Sequence, residues 1–187
     1  MSPASMPHEF FAPDGDVFAR VGEEVWAQIL EHCARGGGLE TGGVLVGRYV
    51  EDRTVAEVQV AFGPPPDSER GRTSFVRGIE GLDDLLEGHR TDGAYYLGEW
   101  HHHPNTSARP SARDLAEIRS IADSDEYACP EPLLLIFGGS IRAPEVTLCL
   151  VQRDGVVLEM ASRGDVTTWR LLEFFDWRVG SINEREE

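Results

Sequence analysis

The 187-residue chain predicts an α/β domain built around one mixed sheet with helices against it. Three observations lead there. Segments with strand periodicity alternate with segments of helical periodicity along the chain. "PLLLIFGG" at 132–139 is a continuous apolar run, the pattern of a central strand buried on both faces. Two further pairs of β-rich runs, 42–62 and 145–160, are each joined by a short polar stretch and read as hairpins.

Taken in order, residues 1–15 carry three prolines and no periodicity and predict a poorly ordered leader. The folded domain is expected over 16–179. "DVFARV" (16–21) alternates as a half-buried strand does, and "EEVWAQILEHCAR" (23–35) places Val25, Ile29 and Cys33 on one helical face. "GGG" at 36–38 ends that helix. "GGVLVGRYV" (42–50) and "TVAEVQVAF" (54–62) form the first hairpin, and the prolines of 63–72 demand a loop. "TSFVRG" suggests a short strand, and 79–90 a helix turning Ile79, Leu82 and Leu86 inward. "AYYLGEW" (94–100) is a strand leading into three histidines. "SARDLAEIRSIADS" is a helix with Leu115, Ile118 and Ala122 inward. The second hairpin turns at Arg153-Asp154-Gly155, a final helix over "VTTWRLLEFFDWRV" covers the core with Trp169, Leu172 and Phe175, and 180–187 is a frayed tail.

Composition narrows the function. Hydrophobic residues at 41% and charged residues at 27% suit a globular domain, and no stretch approaches the roughly 18 apolar residues of a membrane span. The N-terminus lacks the basic start and apolar run of a secretory signal, so the expected location is cytoplasmic. Cys33, Cys129 and Cys149 are odd in number and far apart, which argues against both disulfides and a cysteine-based zinc knuckle. With 33 acidic residues against 17 basic and a net charge of -16, phosphate backbones are repelled and nucleic acid is excluded as the main partner.

The chemistry concentrates in "LGEWHHHPNTSARPSARDL", 97–115. If the strand runs on through the histidines, its period of two sends His101 and His103 to one face and His102 to the other. Residues 105–110 reverse the chain, and Asp114 falls in the first turn of the next helix. Two imidazole nitrogens and one carboxylate oxygen suit a catalytic Zn²⁺ with an open position for water. "S-A-R-D" by itself is also a capping box, in which Ser111 and Asp114 satisfy the helix start. The strand before and the helix after shift the balance to a metal. Of the acidic residues, Glu40 and Glu99 compete as general base. Glu99 shares the histidine face and suits a partner behind a ligand, whereas Glu40 stands at the mouth of the "TGGVLVG" strand, where glycines allow close approach to a substrate.

With these residues in view, the chain resembles the JAB/MPN+ metalloproteases, also called JAMM proteases, which include deubiquitinating isopeptidases. Their signature is an upstream Glu, then H-x-H, seven residues, S, two residues and D. It is met by Glu40, His101, His103, Ser111 and Asp114. "ETGGVLVG" and "GEWHHHP" are similar to the bacterial branch, over most of 16–160; His102 departs from the Ser or Thr common in eukaryotic members.

The resemblance implies a largely antiparallel, curved, open sheet of cytidine-deaminase-like architecture. It also implies one Zn²⁺ per chain on His101, His103 and Asp114, with water acidified by the metal as nucleophile, Glu40 as base and Ser111 as oxyanion donor. The implied activity is cleavage at the C-terminal tail of a ubiquitin-like protein or its conjugate, alongside operon-encoded activating and conjugating enzymes, including those of antiviral systems. A DNA-repair-associated relative and a sulfur-carrier-processing protease are the alternatives. Residues 63–77 and 123–131 are candidate walls of the substrate channel.

Overall fold

In the computed structural model, residues 7–162 are described apart from 14, 16, 52 and 53. The elements in order are β1 (His8–Phe11), β2 (Phe18–Val21), α1 (Glu23–Arg35), β3 (Thr41–Val50), β4 (Val55–Ala61), β5 (Glu69–Arg70), β6 (Phe75–Val76), α2 (Leu82–Arg90), β7 (Tyr95–Pro104), α3 (Ala112–Asp123), β8 (Leu133–Ser140), β9 (Ala143–Val151) and β10 (Val157–Ser162). The α/β class and the mixed sheet are as expected: β2 pairs with β4 and β7 with β8 in parallel, and the remaining ladders are antiparallel.

The sheet is not open, however. It closes into a barrel in the order β1-β10-β9-β8-β7-β3-β4-β2. The closing strand lies inside the segment expected to be a disordered leader. β1 pairs with β2 on one side and with β10 on the other, and it buries Phe10 in the core, with Ala12 buried just after it. Prolines and glycines surround "HEFF", so four residues of strand register too weakly in a sequence window to be seen, while in three dimensions they satisfy both neighbouring edges. The final helix, the tail and the end of the 16–179 domain fall outside the described residues.

Two apolar clusters lie on opposite faces of the sheet. One gathers Val25, Ile29 and Cys33 of α1 against Leu45, Leu97, Trp100, Leu133, Leu135 and Phe137. The other sets Leu82 of α2 and Ile118 and Ile121 of α3 against Val44, Val46, Tyr96, Leu134 and Ile136. β8 therefore contributes alternate residues to both clusters, which is why its sequence is apolar without a break. Two helical faces differ from expectation. Ile121 is buried in α3, with Leu115 and Ala122 packed more loosely around it. Ile79 precedes α2 and is 69% exposed, because Gly81 in the left-handed region starts the helix later. No helix among the described residues is long and apolar enough to cross a membrane.

One irregularity decides which side chains share the histidine face. Leu97 and Trp100 are three apart yet belong to the same cluster, which plain alternation forbids. The ladder between β3 and β7 slips there: Leu45 faces Gly98 whereas Val46 faces Tyr96, and Leu97 is the extra residue of a bulge. Gly98 takes a φ of 148°, and a Cβ on it would stand 2.0 Å from the Leu133 carbonyl oxygen. Beyond the bulge, Glu99, His101 and His103 point to one face and Trp100 and His102 to the other.

Candidate metal centre

β7 runs unbroken through the histidines to Pro104 because β3 and β8 pair with it on both sides as far as those residues. The three histidines and Asp114 are all buried. Residues 105–110 return the chain, with Asn105 at a positive φ of 62°, and α3 begins at a complete capping box. The backbone N–H of Asp114 donates to Ser111 Oγ at 3.2 Å, and the Ser111 N–H donates to Asp114 Oδ2 at 2.6 Å. The cap and the metal reading are thus compatible. Capping holds the Asp114 carboxylate where the histidines meet it, and Ser111 Oγ accepts in that bond, so its own O–H is left to donate.

His101 Nδ1 lies 2.8 Å from Asp114 Oδ1, and His103 Nε2 lies 3.4 Å from Asp114 Oδ2. One potential ligand atom from each of the three residues falls within 4.8 Å of the others. Bonds of about 2.0–2.1 Å in a tetrahedral zinc site separate ligand atoms by about 3.3 Å; the two His–Asp contacts, each to its own carboxylate oxygen, lie near that separation, and the full spread of up to 4.8 Å requires the three groups to draw in around an ion. The donor set, two imidazoles and a carboxylate in a desolvated site, suits a divalent transition metal. Burial, the largest influence on His101, favours its neutral form, but Asp114 and Glu99 outweigh it and hold the imidazole up at about 9. Burial likewise opposes ionisation of Asp114, yet His101, His103 and Ser111 keep its carboxyl well below the ordinary aspartate range.

Glu40 directly precedes β3. Thr41 faces His102 across the ladder, so the next step of the register sets Glu40 beside His103. Its backbone is pinned by the β5–β6 hairpin: Glu40 N–H donates to the Gly71 carbonyl at 2.8 Å, and Arg70 Nε donates to the Glu40 carbonyl at 3.3 Å. Partial burial raises its carboxyl above the usual glutamate range; among the neighbouring charges His103 and His101 lower it, and Asp114 raises it.

The glycines after it serve a different purpose from the one expected. A Cβ on Gly42 would meet the His101 ring at 2.7 Å, and one on Gly43 the Phe62 carbonyl oxygen at 1.9 Å. Their small size lets β3 close on the protein's own β7 and β4, so the approach they permit is internal.

Glu99 is engaged elsewhere. Its Oε1 pairs with Arg77 Nε at 2.5 Å and accepts from Tyr96 OH at 3.2 Å. Its Oε2 lies 3.5 Å from His101 Nε2. Burial works against ionising Glu99, but His101 and Arg77 together hold it below the ordinary range. His102 faces away from Asp114 and is kept neutral chiefly by burial. Sequence reasoning missed Phe75, whose ring meets His101 edge-on at 5.4 Å between centroids, together with Arg77 and Tyr127. A signal for Arg77 was present: Glu99 is a lone carboxylate in an apolar strand, and a buried carboxylate demands a cation.

Residues 22–152, which include every residue of this site, match the prokaryotic homologs of the JAB domain, and the chain belongs to that family. The chain is 45% identical over 112 residues to the CD-NTase/cGAS isopeptidase of Enterobacter hormaechei subsp. hoffmannii (strain UCI 50), covering 60% of this chain and 62% of that protein. It thus spans under two thirds of that relative's length. The probable metalloprotease y4qB of Sinorhizobium fredii (strain NBRC 101917 / NGR234) is 33% identical over 121 residues, 63% of this chain and 73% of that one. Among solved structures, protein DSY2949 of Desulfitobacterium hafniense shares the fold, with a TM-score of 0.55 and 24% identity over 73% of this chain and 86% of its own.

Proposed function

We propose that the chain is a zinc-dependent isopeptidase that cleaves a ubiquitin-like protein at its C-terminal tail, releasing it from a conjugate. The observation that carries this reading is the convergence of His101, His103 and Asp114 on one buried point with Glu40 beside it. Support comes from two relatives named as an isopeptidase and a probable metalloprotease. The Enterobacter relative's name, CD-NTase/cGAS isopeptidase, supports a conjugate within a CD-NTase system as the substrate.

In this reading His101, His103 and Asp114 hold one Zn²⁺. Zinc supplies Lewis acidity that brings the pKa of water from 15.7 to about 7. Glu40, at the edge of the site, takes the proton of the attacking water and hands it to the leaving amine. Its raised carboxyl is tuned in the direction a general base needs near neutral pH. Ser111 donates its free O–H to the carbonyl oxygen as charge develops there. Glu99 is excluded as base because Arg77 and Tyr96 occupy one oxygen and His101 faces the other. The excess of 33 acidic over 17 basic residues speaks against the DNA-repair alternative. All three cysteines are free and buried, their thiols pushed up to about 12 by desolvation, which suits a reducing cytoplasm.

The test is metal analysis joined to a cleavage assay on a ubiquitin-like fusion. About one zinc per chain is expected in both wild type and Glu40→Gln, with cleavage lost only in the variant. Full cleavage by Glu40→Gln would remove Glu40 from the mechanism, and a chain that takes up no zinc would end the hydrolase reading.

A further inference from the structure

Two buried charges next to the proposed site have no part in the chemistry just described. Arg77 and Glu99 side chains are 8% and 5% exposed, and desolvating such a pair is costly unless every polar atom finds a partner. Here the partners are present. Arg77 Nε reaches Glu99 Oε1, Nη1 donates to the Gly78 carbonyl at 2.8 Å, and Nη2 donates to Tyr127 OH at 2.5 Å. The guanidinium also lies 5.6 Å from the Tyr127 ring centroid. Tyr96 OH donates to the same Glu99 oxygen, and the bulge at Gly98 is what puts Tyr96 and Glu99 on one face.

This leaves Oε2 of Glu99 directed at His101. Its 3.5 Å separation from Nε2 is an ion-pair distance without hydrogen-bond geometry, and His101 Nε2 is buried with no hydrogen-bond partner. The opposite ring nitrogen, Nδ1, is the one that meets Asp114 at 2.8 Å. Imidazoles that bind metals donate their second N–H to a carboxylate, carbonyl or water, which fixes both tautomer and ring orientation. Glu99 stands where that acceptor belongs.

We infer that Arg77 and Glu99 are a positioning pair: Arg77, braced by Tyr127, holds the Glu99 carboxylate behind His101 so that the imidazole presents Nδ1 to the metal. The inference rests on the metal reading above. It also gives the two segments expected to wall the channel a common anchor, since Arg77 follows β6 and Tyr127 follows α3.

A purely structural ion pair and a positioning pair respond differently to replacement. Exchanging a buried pair for apolar residues of similar volume is often neutral or stabilising for the fold, so Arg77→Met/Glu99→Leu preserves packing while deleting the acceptor. Zn²⁺ affinity by chelator competition and the visible absorption of the Co²⁺-loaded protein are measured on the full chain, beside Glu99→Gln and Tyr127→Phe. The expected result is a folded double variant with zinc bound about 10- to 100-fold more weakly and an altered Co²⁺ spectrum. A folded double variant with wild-type affinity and spectrum overturns the inference. Should the double variant not fold, Glu99→Gln, nearly identical in volume, is judged by the same two readouts; if that too fails to fold, Tyr127→Phe, which deletes only the hydroxyl bracing Arg77, decides by whether the Co²⁺ spectrum shifts. A wild-type chain that takes up neither ion refutes the metal reading itself, a result separate from any difference between variants.

Discussion

Raising the pH should tighten zinc uptake tenfold per unit across the neutral range, because the metal must displace a proton from His101. With its imidazole held at about 9 by Asp114 and Glu99, only about one molecule in 100 carries the neutral ring at pH 7. Metal ligation needs that neutral form. From pH 6.5 to 8.5 the apparent association constant should therefore rise about 75-fold, or about 2.6 kcal/mol, with a slope in log K against pH near +1 at pH 7 that flattens towards pH 9. Asp114 adds no slope there, since its carboxyl is already ionised. The assay is competition against a chromophoric chelator with calibrated proton dependence.

The metal-free fold should move the opposite way. A folded value raised above the unfolded 6.5 contributes stability that is complete below pH 6.5 and is lost as pH rises through about 9. Denaturant midpoints of the metal-free chain should fall over the interval in which zinc binds more tightly. An affinity independent of pH between 6.5 and 8.5 would refute the reasoning, by showing that His101 is not protonated in the free site.

Removing the metal from the loaded protein should lower its melting temperature. Zinc at 100 times its dissociation constant adds about 2.7 kcal/mol, and a domain of this size shifts about 2–4 °C per kcal/mol, so a chelator should cost about 5–11 °C by calorimetry; no shift would mean the metal does not bind the folded state. Ser111→Ala should lose about 10²-fold in turnover with zinc content unchanged, and should lower stability by about 1 kcal/mol through the lost cap; steady-state kinetics and denaturation read the two effects separately. Gly98→Ala places a Cβ 2.0 Å from the Leu133 carbonyl oxygen and should destabilise by about 1–3 kcal/mol or more, with zinc affinity falling because Glu99 and His101 leave their face.

Much of the fold was legible where one residue pattern had one interpretation. α1 matches its expected bounds, because Val25, Ile29 and Cys33 repeat every four residues between acidic and glycine ends. β8 was legible because burial on both faces removes polar residues altogether. β1 was not, since four residues carry too little period, and missing it turned a closed barrel into an expected open sheet. The glycines after Glu40 show a different limit: their size was evident, but not that their neighbours are His101 and Phe62.

His101, His103, Ser111 and Asp114 are close in sequence, and a strand, a turn and a helix start bring them together almost wherever the domain puts them. Local periodicity and capping rules therefore determine that part of the site from the sequence alone. Glu40, Phe75, Arg77 and Tyr127 lie 24 to 61 residues from His101, and no local rule relates them to it. Their placement depends on ladder register, on the bulge at Gly98 and on the demand of a buried carboxylate for a cation. Such long-range contacts exist only once the chain has closed on itself, so only the tertiary structure decided them.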